Sequence, residues 1–97
     1  MYMVIRRYAI EPHKIDEVVR KVDEQYLEKV RQLPGFEAYY VVDSGEGRLT
    51  SITISADKVT SHDTTRLSQE WVDTWLREVH LELVESIEGP VVVHGGA

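Results

Sequence analysis

Two tryptophans, Trp71 and Trp75, stand four residues apart in the stretch EWVDTW. On a helix that spacing stacks both indoles on one face. Such a pair can be a platform for a flat ligand, or it can be bulky packing. The histidines offer less. His13, His62, His80 and His94 are scattered, without the spacing of a helical metal pair, and no metal site is expected. EVHLE puts Glu78, His80 and Glu82 at alternate positions, which do not converge on one helical face. Ser51, Thr53 and Ser55 have no histidine nearby in sequence to make a hydrolase triad. The chain has no cysteine, so thiolate chemistry, disulfides and cysteine-held metals are excluded.

These residues need elements to position them. The stretch 2–8 (YMVIRRY) is rich in β-branched and aromatic residues and predicts a strand. Pro12 then suits a first helical turn. Ile15, Val18, Val19, Val22, Tyr26, Val30 and Leu33 recur at steps of three and four among charged residues. That is an amphipathic helix, ended by Pro34-Gly35. FEAYYVVD (36–43) and RLTSITISA (48–56) flank SGEG and predict a β-hairpin. A second helix begins after Asp57 or at Ser61. Its apolar stripe is Leu67, Trp71, Val72, Trp75, Leu76 and Val79. EGP breaks the chain again, and VVVH (91–94) predicts a last strand with Pro90 at its mouth.

The order β-α-β-β-α-β, without linker or repeat, predicts one α+β domain over residues 1–97: a ferredoxin-like sandwich, a four-stranded antiparallel sheet with two helices on one face. Two helices cover one side of such a sheet. The other side should then alternate with polar residues, yet Tyr2 and Val4 oppose Met3 and Ile5, and Ala38, Tyr40 and Val42 oppose Tyr39 and Val41. Only the third strand alternates clearly, Ile52 and Ile54 against Ser51, Thr53 and Ser55. An apolar second face of that extent predicts a homodimer joined through its sheets.

Charge narrows the partners. The net charge of −6, with no offsetting basic run, argues against nucleic acid and anionic membrane surfaces. MYMVIRRYAIEP has too short an apolar run for a signal peptide, and no stretch is long enough to span a bilayer. A cytoplasmic protein is the expectation.

MYMVIRRY, a helix, LPGFEAYYVVDSGEGRLTSITIS and a second helix carrying RLSQEW resemble, over nearly the whole chain, the dimeric α+β barrel superfamily, and within it the small antibiotic-biosynthesis-monooxygenase type. The most specific part is Leu33–Phe36 before the hairpin. The resemblance implies a cleft between sheet and helices and a dimer formed by the sheets. Its haem-degrading branch typically has an asparagine in the first strand, and this chain contains none. Its cofactor-free oxygenases imply a hydrophobic phenol whose anion reduces dioxygen itself, with no cofactor. In that chemistry Arg6 or Arg7 would stabilise an oxyanion, Tyr8, Tyr39 or Tyr40 would orient a hydroxyl, and His80 would take a proton. The expected site is thus Arg7 and His80 as catalytic residues, with Trp71, Trp75, Tyr40 and Tyr8 around a hydrophobic small molecule. The alternative is a non-catalytic dimeric binding or association domain, with both indoles closed over by Tyr40, Ile52 and Ile54 and both arginines turned outward. A pocket of about 300 Å³ walled by an indole separates the two.

Overall fold

The structure, a computed structural model, describes residues 1–96. Strand β1 is Tyr2–Ala9. Helix α1 (residues 12–30) is a composite: a 3₁₀ turn at Pro12–Lys14, an α-helical part at Ile15–Lys21, a π turn at Val22–Tyr26 and an α-helical end at Leu27–Val30. The widened turn is marked by the Leu27 N–H, which donates to the Val22 carbonyl five residues back. Strands β2 (Phe36–Gly45) and β3 (Arg48–Ser55) form the hairpin. Its turn holds Glu46 and Gly47 at φ 55° and 74°, the left-handed geometry that suits tight hairpins. Helix α2 (Lys58–Trp75) starts at Asp57, whose carboxylate accepts from the Thr60 N–H at 2.8 Å. Strand β4 is Glu82–Pro90.

The strands lie in the order β2-β3-β1-β4, and each neighbouring pair is antiparallel. The two helices pack on one face, giving the ferredoxin-like α+β architecture expected. The Leu33–Phe36 corner is tied to the start of α2. Gly35, at φ +86°, offers its carbonyl to the Ala56 N–H at 2.8 Å, and the Thr60 hydroxyl donates to the Pro34 carbonyl at 3.2 Å. A β-carbon on Gly35 would meet the Thr60 Oγ1 at 2.6 Å, so only glycine fits this corner.

The last strand corrects the sequence reading. It is not 91–94 but 82–90, paired with β1 so that Ile87 faces Ile5 and Pro90 faces Tyr2. Helix α2 ends at Trp75, and the chain turns through 76–80 into the sheet. The second edge of β1 needs a ladder, and that pairing overrides the helical preference of the Glu- and Leu-rich run. Val91 adds one bond, its N–H donating to the Met1 carbonyl at 2.9 Å, while Val92 and Val93 are exposed.

Register also reverses a face. Leu49, Ser51, Thr53 and Ser55 of β3 align with Tyr8, Arg6, Val4 and Tyr2 of β1, so the hydroxyl side chains lie under the helices. The first half of α2 answers with Thr60, Ser61 and Thr64, all buried, as is Ser55. Small residues on both sides let the helix approach the sheet closely. Ile52 and Ile54 therefore lie on the open face with Met3, Ile5, Ala38, Tyr40 and Val42, and do not close over the indoles. The core between the layers is Ile10, Ile15, Val18, Tyr26, Val30, Leu49, Trp71, Leu76 and Val79. Each such side chain, taken from water, contributes about 1.5–3 kcal/mol.

Candidate functional site

Three aromatic rings meet between the layers. Tyr26, at the end of the π turn, has its ring centroid 5.3 Å from Tyr39 of β2 and 5.4 Å from Trp71 of α2, tilted by 60° and 52°. Tilted pairs at these distances are the favoured arrangement of aromatic quadrupoles. Around them lies a cavity. Val18 and Val22 of α1 wall it on one side, and Ser68, Val72 and Leu76 of α2 on another. Tyr8, Leu49, Ser51 and Val41 form its floor, and Leu81 closes an end. The cavity has a volume of about 40 Å³.

A larger groove adjoins it. Between α1 and the β2 edge, Asp16, Val19, Arg20, Asp23 and Leu27 border about 500 Å³ of open space. Val22, Tyr39 and Val41 line both the groove and the inner cavity, so they form the partition between them. Two adjacent spaces result, an apolar vestibule with a charged rim and a small aromatic interior, sharing these three wall residues.

The interior is short of hydrogen-bond partners. The Tyr26 hydroxyl, the Trp71 Nε1 and the Arg6 Nε are buried without a partner among the described residues. Ser68 approaches the Tyr26 hydroxyl without completing a bond of ordinary geometry. Burial pushes the Tyr26 phenol up to about 12, with Ser68 and the Arg6 charge opposing the shift. Tyr39 is raised further, again by burial first and by its tyrosine neighbours next. Both phenols are therefore neutral donors at ordinary pH and not bases. Arg6 faces the helices between Val4 and Tyr8, opposite Ser51 and Ser86, and its positive charge acts on both phenols.

The expected residues divide. Trp71, 4% exposed, and Tyr8 reach the interior. Trp75 does not, and at 51% exposure it is no core residue either. It is the last residue of α2 and borders a crevice lined by Lys14, Glu17 and Lys21, while Leu76 beside it and Val79 beyond it are in the core. Tyr40 stands on the open face at 55% exposure, because the Val41–Ser51 pairing turns Tyr39 inward and Tyr40 outward. Arg7 also points to the open face, where its Nη1 pairs with Glu85 at 3.1 Å. His80 is exposed at φ 56° in the turn after α2 and borders a shallow groove with Asp73 and Arg77, outside the cavity.

Tyr26 is the central residue that the sequence reading assigned only to packing. A phenol in a stripe otherwise made of Val, Ile and Leu was the available signal. The π turn that aims it leaves no residue signature. Among the described residues no group of three or more His, Asp and Glu side chains gathers into a metal-binding arrangement.

No family model matches the chain, and no curated protein matches it by sequence. Solved structures do match by shape. HapK from Hahella chejuensis superposes with a TM-score of 0.77 at 15% identity, over 100% of this chain and 98% of that one. A dimeric ferredoxin-like protein from an uncultured marine organism gives 0.77 at 9% identity, over 99% and 98%. The ActVA-Orf6 monooxygenase of Streptomyces coelicolor, in complex with nanaomycin D, gives 0.75 at 13% identity, over 99% and 92%. The chain has the ferredoxin-like fold of the antibiotic-biosynthesis-monooxygenase-like proteins. At these identities the fold is what is shared, and activity has to be argued from the cleft. No helix among the described residues is long and apolar enough to cross a membrane.

Proposed function

We propose that this protein binds a hydrophobic aromatic small molecule in the cleft between sheet and helices, and acts on it as a cofactor-independent monooxygenase-like enzyme. The observation that carries the reading is the 500 Å³ groove bordered by Tyr39, whose ring packs on Tyr26 beside the smaller cavity lined by Tyr26 and Trp71. The groove has the volume of a small-molecule site. The fold shared with a monooxygenase that holds nanaomycin D agrees with it. In the reaction a phenol is oxidised to a quinone by dioxygen. One oxygen atom enters the ring, and the other leaves as water with the phenolic hydrogen and the displaced ring hydrogen. Arg6 lies on the helix-facing side of the sheet and its charge reaches the Tyr26 and Tyr39 phenols, so we assign it, in place of Arg7, to stabilising the phenolate. Tyr26 and Trp71 supply neutral donors to an oxygen of the ligand.

We also propose that the working form is a homodimer joined through the open sheet faces. Tyr40, Val42 and Ile87 are about half exposed there, and Met3, Ile5, Ile52 and Ile54 extend the same apolar patch. A monomer rarely leaves such a surface uncovered. Light scattering should give twice the 11.2 kDa chain mass, and a monomer at micromolar concentration would refute the assembly.

The second reading, a non-catalytic dimeric binding or association domain, is favoured by one observation, the cavity of only about 40 Å³ beside Trp71. Titration with polycyclic phenols and quinones, read by tryptophan quenching and by an oxygen electrode, separates the two. The enzyme reading expects saturable quenching together with oxygen uptake. Saturable binding without uptake supports the second reading, and no binding of any of them removes the small-molecule site.

A further inference from the structure

The inner chamber, at about 40 Å³, is well below the roughly 150 Å³ of an apolar cavity that takes up benzene. The outer groove, at about 500 Å³, is ample. A ligand body therefore rests in the groove, and what reaches Trp71 is decided at the partition of Val22, Tyr39 and Val41.

The three partition residues are not equivalent. Tyr39 and Val41 belong to β2, held in the sheet opposite Thr53 and Ser51 of β3. The Tyr39 ring is further held against Tyr26. Val22 opens the π turn, the one widened place in α1, and its carbonyl accepts the five-residue bond from Leu27. A π turn fits one extra residue into a helix, bends it locally and is frequently found at functional sites. Tyr26 closes the same turn, so a shift at Val22 moves the ring that packs on Trp71.

We propose that Val22, carried on the π turn of α1, is the residue that sets how large a ligand reaches Trp71, because it forms the helical side of the wall between vestibule and aromatic interior. This inference rests on the cleft reading above. Removing the two methyl groups of Val22 merges the chambers, and a bulkier side chain seals them.

The test uses full-length protein carrying Trp75→Phe, which leaves Trp71 as the sole indole and alters a residue outside the cleft. The probe is 1-naphthol, followed by equilibrium dialysis and by Trp71 quenching. Val22→Ala should tighten binding about tenfold, the scale on which relieving an overpacked contact acts. Val22→Phe should leave no saturable quenching of Trp71. Circular dichroism first establishes that each variant is folded. If the phenylalanine variant is not, Val22→Ile replaces it and should weaken binding severalfold. Equal binding by the starting protein and all variants overturns the role of Val22 while leaving the cleft reading in place. No binding by any variant, the alanine one included, overturns the cleft reading for this ligand and the inference with it.

Discussion

Truncating the two tryptophans one at a time should give very different costs, although sequence periodicity treats them alike. Trp71 is 4% exposed and packs its ring 5.4 Å from Tyr26. A buried aromatic side chain removes about 150–250 Å² from water. At about 25 cal/mol per Å² that contributes about 4–6 kcal/mol. Its Nε1 donor is buried unpaired, which offsets about 1–2 kcal/mol. Trp71→Ala should therefore destabilise the fold by about 2–5 kcal/mol, overlapping the range of large core truncations. Trp71→Phe keeps most of the packing and deletes the orphan donor, so it should cost no more than about 1 kcal/mol. Trp75, half exposed among Lys14, Glu17 and Lys21, should cost about 1–2 kcal/mol on truncation, since no sealed cavity is left. Urea unfolding followed by circular dichroism, at one fixed protein concentration so that association contributes equally, measures all three. Equal costs for the two alanine variants would refute the packing argument. A phenylalanine variant as unstable as the alanine one would show that the indole N–H has a partner after all.

Gly35→Ala should destabilise by about 1–3 kcal/mol, from its φ of +86° and the 2.6 Å approach to Thr60. Adding Thr60→Ala should recover only part of that in thermal unfolding, because the backbone strain stays. His80→Gly, at a left-handed φ of 56°, should be neutral to stabilising by up to about 1 kcal/mol and should leave cleft binding unchanged; a loss of binding would return His80 to the site. Spectrophotometric titration should find Tyr26 ionising only near pH 12, and Tyr39 no earlier. Burial raises both folded values above the unfolded value near 10, so their contribution to stability is complete below pH ~10 and is lost as pH rises toward 12. Ionisation of either near pH 10 in the folded protein would contradict their burial.

Much of the architecture was legible because local rules act at short range. The three- and four-residue steps of Ile15 to Val30 marked α1, and Leu33–Phe36 marked the corner that Gly35 and Thr60 now explain. The site was legible only in its parts. Tyr39 and Tyr40 are neighbours of one type, and nothing local to them says which turns inward. Arg6 and Arg7 pose the same ambiguity, since a shift of one residue exchanges the faces.

By itself the sequence determined the order of elements, the layered fold, the apolar excess on the sheet and the helical stripe that carries Trp71. These follow from periodicity and turn chemistry, which each segment carries within itself. Only the tertiary structure decided that Tyr39 and Arg6 face the helices while Tyr40 and Arg7 face away, because strand register is fixed by partners far along the chain. It also decided that β4 lies at 82–90, because β1 had an unfilled ladder. The same holds for Trp75, which shares the helical stripe of Trp71 but faces a crevice lined by Lys14, Glu17 and Lys21, while Leu76 beside it takes the place in the core. Periodicity reports direction around a helix axis, and burial also depends on what stands opposite.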